Sequence, residues 1–539
     1  MTGLKRAWMD ADVIVIGAGA AGAAVSWRLS NTSLNVLCIE QGDFQDPLGY
    51  PSTRADWELR KLSTHSPFPN VRDLPADYPI NDDDSPIAIA NFNAVGGSTI
   101  LYSGHFPRFH PSDFRTKTLD GVGDDWPISY NELEPYFEMN DRMMGVAGLE
   151  GDPAYPEISG MMPPVPLGLV GERLAEGFNN LGWHWWPSYS AIATKEQGRR
   201  AACVNLGPCN TGCAQSAKSS VDVSYWPLAL ENGVQLLTRT RVTRIVQDSP
   251  ESVAGVEVVG ADGEKRILRS SAVIVACNGV GTPRLLLHST SEWAPDGLGN
   301  SSGQVGRNLM IHPLGYVEGI FEDDLESHLG PQGCCIASHQ FYETDPERDF
   351  TRGYSFQVLR GPSPLETALS GVLRREIPWG SDHHNGFRRR FGRIASMSAI
   401  LEDLPHPDNR VELDPTRRDS SGIPAPKVTY ALQHNTKRMM SHALNRGREL
   451  MKAAGAVKTY AFGPVRETGW HLMGTTRMGD DRRESVVNRH GQSHDVSNLY
   501  IADSSVFVTA GAVNPTSTLQ AVALWIADAV ARDFGVELS

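Results

Sequence analysis

Two glycine-rich blocks, one near each end, constrain this chain more than anything else in it. Near the N-terminus, Val13–Ile16 (VIVI) runs directly into GAGAAG, with Gly17, Gly19 and Gly22, and then into AAVSWRLS with helical spacing. The β-branched run reads as a buried parallel strand. Gly17 permits a tight turn, Gly19 lets backbone approach a pyrophosphate, and Gly22 lets the helix pack on the strand. The helix N-terminus then faces the phosphates. A second apolar strand, NVLCIE (Asn35–Glu40), ends in Glu40, 18 residues after Gly22. An acid at that distance accepts hydrogen bonds from ribose hydroxyls and disfavours a 2′-phosphate. Strand, glycine turn, helix and acid in this order predict a bound dinucleotide.

Two further segments favour FAD over NAD. ANFNAVGGSTILYSGHFPRF (Ala90–Phe109) sets Gly96–Gly97 ahead of Ser98–Thr99, a small-residue turn suited to a flat ring or a pyrophosphate. SSAVIVACNGVGTPRLLLHS (Ser270–Ser289) reads as buried strand, glycine turn and helix, far along the chain. The nucleotide domain is therefore expected to be discontinuous, with substrate-domain segments inserted between its strands. The C-terminal block holds WHLMGTTRMG (Trp470–Gly479) and NLYIADSSVFVTAGAVNPTSTLQA (Asn498–Ala521).

These blocks, with TRVTRIV (Thr240–Val246) and VGRNLMIHP (Val305–Pro313), resemble in sequence and order the glucose–methanol–choline (GMC) oxidoreductases. HLMGTTRMG and AGAVNPTSTLQA look most like the sugar-oxidising branch, with its pyranose oxidases, C-glycoside 3-oxidases and sugar or gluconate dehydrogenases. The resemblance implies an α/β fold: a Rossmann-type FAD-binding domain with an inserted substrate domain built on an antiparallel sheet. The expected division is 1–110, 200–315 and 465–539 for FAD, and 111–199 and 316–464 for substrate. It implies that Gly17, Gly19, Ala21 and Gly22 line the pyrophosphate turn and that Glu40 holds the adenosine ribose. Gly97 and Ser98 would lie by the flavin and its phosphates, Val242 by the adenine, and Asp503 and Thr516 along the cofactor. His471 and Asn514 match the pair that faces the flavin. Fungal pyranose oxidases tether FAD through a histidine just after the glycine pair. Ile100 and Leu101 stand there in this chain and His105 comes later, so non-covalent FAD is expected.

Oxidising an alcohol requires removal of a hydroxyl proton and loss of a C–H hydride. A histidine titrating near neutrality suits the first task. An asparagine can orient the same hydroxyl and stabilise developing alkoxide charge. Pro515 restricts Asn514 to an extended backbone, which makes it a rigid loop residue.

Composition limits the alternatives. The chain has 539 residues and a net charge of −14, which argues against nucleic acid. No apolar run approaches the ~20 residues of a membrane span, and no signal-peptide core precedes the first strand. The expectation is a cytoplasmic protein that binds neither membrane nor nucleic acid. Seven cysteines, an odd and sparse set, read as reduced thiols. Cys203, Cys209 and Cys213 fall within eleven residues, a spacing that invites comparison with an iron–sulfur ligand set. A fourth ligand is missing, so a buried segment without metal is preferred. Cys38, Cys334 and Cys335 read as buried small residues, and His288 and His312 as structural. His105 is as readily structural as a substrate contact, and the run WHWW (Trp183–Trp186) is read as core before sugar platform. Residues 322–393 show little periodicity and are expected to form an insertion or lid loop.

The sequence thus predicts FAD-dependent oxidation of a ring secondary hydroxyl of glucose or a glucoside, including C-glycosides. C3 is preferred to C2, and oxygen or a quinone-like acceptor reoxidises the flavin. The alternative is a sugar- or gluconate-type dehydrogenase subunit that passes electrons to a partner protein. Homo-oligomerisation is left open.

Overall fold

The computed structural model describes residues 11–538 except Asp73 and Gln332, without the side chains of residues 333 and 334. The expectation for Cys334 therefore lies outside the described residues.

The first strand, Ala11–Ile16, is parallel to Val36–Ile39 on one side and to the end of Lys265–Val275 on the other. Gln235–Leu237 extends the sheet beyond Val36–Ile39, and Leu499–Ile501 runs parallel beside Lys265–Val275. The long strand Lys265–Val275 serves two sets of neighbours. Its second half pairs with Ala11–Ile16, and its first half pairs antiparallel with Ser252–Val259, which pairs in turn with Arg241–Ser249. Strands separated by more than 480 residues in sequence thus share one seven-stranded sheet. Val13, Ile14, Val15, Val273, Ile274 and Val275 are fully buried, as a strand covered on both faces requires.

The second sheet is antiparallel. Its order is Lys458–Phe462, Leu314–Ile320, Ile394–Leu401, Tyr354–Leu359, Gly333–Phe341 and Trp186–Pro187. Period-two alternation divides its residues between two jobs. Val317, Phe356, Val358, Met397 and Ala399 belong to the core shared with helices Gly168–Leu181 and His434–Ala453. Their neighbours Tyr316, Gln357, Leu359, Ser398 and Ile400 face the large cavity. Residues 322–393 supply two strands of this sheet and two helices, Pro364–Leu373 and His383–Arg388, where a loop was expected. Register shifts in Gly333–Phe341 break the alternation that would have revealed the strand.

A small third sheet joins Asn81–Asp84, Pro424–Thr429 and Arg410–Arg418. It packs on helix Asn278–His288 of the nucleotide side. Trp183 and Trp185 pack against the second core, and none of the WHWW residues lines the cavity. No helix among the described residues is long and apolar enough to cross a membrane.

Candidate active site

A cavity of about 610 Å³ runs between the two large sheets. One end is bounded by Glu40, Val242 and neighbouring residues, the middle by Gly17, Gly19, Ala21, Gly97, Ser98 and Asp503, and the other end by His471, Asn514 and Thr516. These residues, expected from sequence at the cofactor or as the catalytic pair, line one space; of the expected set only Gly22 does not. Gly22 sits behind the turn, where a Cβ would lie 1.8 Å from the Gly17 carbonyl oxygen. Gly97 adopts a φ of +54°, and a Cβ there would lie 2.9 Å from the Gly19 Cα. The two glycine turns, 78 positions apart from Gly19 to Gly97, therefore pack backbone on backbone. The Gly96 N–H donates to the Ala18 carbonyl at 3.0 Å and pins them together. Such a cradle fits a pyrophosphate, because nothing but main chain is there to block it. Gly22→Val is expected to yield folded protein that purifies without yellow colour. Flavin retained at a full equivalent would show that this approach is not needed.

The Glu40 carboxylate accepts N–H bonds from Ala18 at 2.9 Å and Gly42 at 2.8 Å. Burial raises its pKa against these bonds. Each oxygen keeps a second lone pair for a ribose hydroxyl. Asp503 accepts from the Asn278 N–H at 3.0 Å, the Thr282 hydroxyl at 2.5 Å and the Ser505 N–H at 2.8 Å. It ties the helix beginning at Asn278 to the C-terminal segment, and burial raises its pKa too. Thr516 opens helix Thr516–Asp533 at the cavity, where first-turn N–H groups lack intrahelical partners.

The end that holds His471 and Asn514 is organised by a residue read as structural from sequence. His312 Nε2 lies 3.1 Å from the Ala510 carbonyl and 2.9 Å from the Gly511 carbonyl. Carbonyls only accept, so Nε2 carries the proton. Burial pushes the His312 pKa down to about 4, so the ring is neutral and Nδ1 is a lone pair. His471 Nδ1 lies 2.8 Å from that lone pair and must donate to it. Burial, and then the neighbouring His312 and His105, hold the His471 pKa well below its usual value. The neutral His471 ring, partly open to the cavity, is left with Nε2 as its basic atom.

Asn514 is oriented in the same manner. Its Oδ1 accepts from Gln357 Nε2, which leaves the Asn514 amide N–H groups for a substrate oxygen. Gln357 was missed from sequence. Its only signal is a polar residue inside the strand YSFQVL. The loop carrying Asn514 is fastened from several directions. Tyr342 Oη accepts from the Ala512 N–H at 3.0 Å, the Ser355 hydroxyl donates to the Ala512 carbonyl at 2.6 Å, and Thr509 donates to the Asp113 carbonyl at 2.9 Å.

Other sequence candidates fall outside this chemistry. His105 lines the cavity, but its Nδ1 meets the Ser188 hydroxyl at 3.2 Å and its Nε2 is buried. Cys203 interacts with Asn205, and Cys213 accepts from the Lys218 N–H at 3.5 Å. Among the described residues, no three His, Cys, Asp or Glu side chains are placed to hold a metal ion.

Comparison with known proteins settles the family. Models of the GMC oxidoreductase family match residues 11–314 and 405–523. The chain is a GMC oxidoreductase. It is similar to 2-methyl-1,2-propanediol dehydrogenase of Mycolicibacterium austroafricanum, with 39% identity over 97% of this chain and 95% of that one. It is similar to paromamine 6′-oxidase of Streptomyces fradiae, with 31% identity over 98% of this chain and 92% of the other. Its fold matches the crystal structure of pyridoxine 4-oxidase from Mesorbium loti, with a TM-score of 0.67 at 18% identity, over 97% of this chain and 99% of that one. This GMC oxidoreductase is thus an FAD-dependent enzyme acting on CH–OH groups of alcohols or sugars.

Proposed function

We propose that this GMC oxidoreductase oxidises a carbinol of a sugar or small polyol to the carbonyl, with His471 as base and Asn514 as its partner. The observation that carries this reading is the pair of relays, His312 to His471 and Gln357 to Asn514. They leave one lone pair and one set of N–H donors in the same cavity. His471 Nε2 takes the hydroxyl proton. The Asn514 amide donates to the same oxygen as negative charge builds on it. Bound FAD supplies the acceptor for the hydride that the carbinol carbon gives up. Gly17, Gly19, Ala21 and Gly97 would cradle its pyrophosphate, with Gly22 behind the turn keeping it closed. Ser98, Asp503 and Thr516 would lie along it, and Glu40 and Val242 at its adenosine end. Ile100 and Leu101 are buried aliphatic residues where a tethering histidine would stand, which supports non-covalent FAD. The division expected from sequence gives 1–110, 200–315 and 465–539 to the FAD-binding part, and 111–199 and 316–464 to the substrate-binding part; residues 1–10 and 539 lie outside the described residues. By their packing the hairpin at 410–429 and helix Tyr130–Met144, which lies against Thr516–Asp533, side with the FAD-binding part. Six free thiols among the described residues accord with a cytoplasmic location.

The substrate preferred from sequence is a glucose unit, free or in a C-glycoside, oxidised at C3 before C2. The likeness of HLMGTTRMG and AGAVNPTSTLQA to the sugar-oxidising branch supports it. A second reading, a primary carbinol, is favoured by the relatives' substrates. In 2-methyl-1,2-propanediol only C1 bears both a hydroxyl and a hydrogen, and the other relative is named for position 6′. Anaerobic bleaching of the yellow protein separates the two readings. D-Glucose, an aryl C-glucoside and 2-methyl-1,2-propanediol are added in parallel and air is then readmitted. Bleaching by the sugars with the new carbonyl found by NMR at C3 or C2 supports the ring position, and bleaching by the diol, or a sugar product oxidised at C6, supports the primary carbinol. Prompt recolouring in air marks an oxidase, and persistent bleaching marks a dehydrogenase that needs a quinone or a partner protein. No bleaching by any of the three overturns the substrate class.

A further inference from the structure

Helix Pro364–Leu373 is inverted relative to a surface helix that covers a core. Thr367 and Gly371 are its buried positions, and a Cβ on Gly371 would lie 2.4 Å from Ile377 Cδ1. Leu369 and Leu373 face outward, 53% and 83% exposed. Leu365, Ala368 and Val372 lie beside them at the spacing of one helical face. Trp379, six residues on, is 83% exposed. Helix Trp57–Lys61 adjoins this face. Its Glu58 carboxylate accepts the Leu365 N–H at 2.9 Å and caps the inverted helix, and Leu59 and Leu62 are exposed next to it. Exposed large apolar side chains therefore stand on two helices that Glu58 joins, from segments about 300 residues apart. Lys61 and Glu366, one from each helix, line the active-site cavity, so the surface borders the cavity mouth.

The charge around this surface differs in sign from that of the whole molecule. The chain carries −14 overall, yet residues 364–393 contain six arginines against three acids; Arg374, Arg389 and Arg390 are held in ion pairs with Glu318, Asp382 and Glu376, while Arg375 and Arg388 are exposed. Leu373 and Trp379 project from the surface instead of lining a hollow. A fluid apolar phase accepts projecting side chains without a matching pocket, and a tryptophan with flanking arginines suits the headgroup layer. Pairing this face with a second copy of itself about a two-fold axis would set arginines against arginines.

We propose that this face docks on an anionic lipid surface, with Leu369, Leu373 and Trp379 entering the bilayer interface and the nearby arginines meeting lipid headgroups. Docking of this kind needs no spanning helix. It would turn the cavity mouth toward the membrane, where quinone-type acceptors concentrate.

The test uses the flavin-loaded full chain and vesicles of phosphatidylcholine with or without phosphatidylglycerol. Binding is read by co-sedimentation and by the blue shift of tryptophan emission, so it does not depend on any substrate being right. The expected result is binding to phosphatidylglycerol vesicles that weakens with salt and is much weaker on phosphatidylcholine alone. Leu369→Ser, Leu373→Ser and Trp379→Ser combined should weaken binding at least about tenfold. Flavin content and thermal midpoint should match the parent, because these side chains contribute little to the core. Arg375→Glu with Arg388→Glu should lower binding to the anionic vesicles without the apolar changes. The proposal is overturned by failure to bind either vesicle, or by binding that the triple variant leaves unchanged. It is equally overturned if the parent is a dimer that the triple variant turns into a monomer, or if an acidic protein and not lipid protects Trp379.

Discussion

His471→Ala lowers the rate of anaerobic flavin reduction by about a hundredfold to ten-thousandfold, the range expected when a positioned general base is removed. Flavin content stays at one equivalent, because the glycine cradle lies elsewhere in the cavity. Stopped-flow bleaching measures the effect. A loss of less than about threefold would assign the base to another group. The pH profile carries a second signature. The His471 pKa is held well below its usual 6.5 by burial and by the facing His312 and His105. The basic form therefore persists through neutrality, and the reduction rate should be level down through pH 6.5 and fall only in more acid solution. An ordinary histidine would begin to lose activity near that value. His312→Leu tests the relay. It removes the lone pair that holds the proton on His471 Nδ1 and frees the ring to place its lone pair on the wrong nitrogen. The rate should fall with KM little changed, because His312 is buried behind His471 and contacts backbone on its far side.

Arg352→Met is expected to cost about 3–5 kcal/mol of stability, the usual consequence of removing one partner from a buried ionic cluster. Arg352 is fully buried. It bonds Asp113 at 2.5 Å, Glu402 at 2.8 Å and Asp120 at 2.9 Å, with Asp113 and Glu402 also fully buried. One guanidinium cannot neutralise three carboxylates, so the cluster keeps a proton. Burial raises the Asp113 pKa to about 8, against the pull of Arg352 and with the push of Glu402. In the unfolded chain the same carboxyl titrates near ~4. Between those values the folded protein binds more protons than the unfolded chain. The stability from Asp113 is therefore fully present below about pH 4 and is lost as pH rises through about 8. Without Arg352 the stranded carboxylates repel one another, most strongly when ionised. The loss in urea midpoint, read by tryptophan fluorescence, should thus be larger at pH 8 than at pH 5. An equal loss at both values would show that the charge imbalance is not what Arg352 relieves. Tyr342 connects this cluster to the active site, since its hydroxyl donates to Asp113 at 2.7 Å and accepts from Ala512, two residues before Asn514.

The cofactor half of the molecule was legible in the chain because main-chain geometry writes it there. The turn demands glycine at Gly17 and Gly22, where a Cβ would lie 2.5 Å from the Ala276 carbonyl oxygen and 1.8 Å from that of Gly17, and the buried strand before it demands VIVI, so the residue types carry the structure with them. Glu40 was legible for the same reason, being placed by a strand of fixed length. His471 and Asn514 were found through motifs, and the fold brings both to one end of the cavity. Tertiary structure alone decides what would suit them to the proposed roles of base and donor. Their protonation and orientation depend on His312 and Gln357, which lie 159 and 157 residues away, on other segments. No local pattern records such a contact, because a hydrogen bond across a cavity depends on the position of two sheets and not on neighbouring residues. The stretch from 322 to 393 was read as a loop because register shifts interrupt the strand Gly333–Phe341, and the outward turn of the apolar face of helix Pro364–Leu373 leaves no mark in the sequence period. Period-based reading assumes that apolar residues point to a core. That assumption fails where a surface is built to meet something other than water, and only the folded positions of Leu369, Leu373 and Trp379 show it.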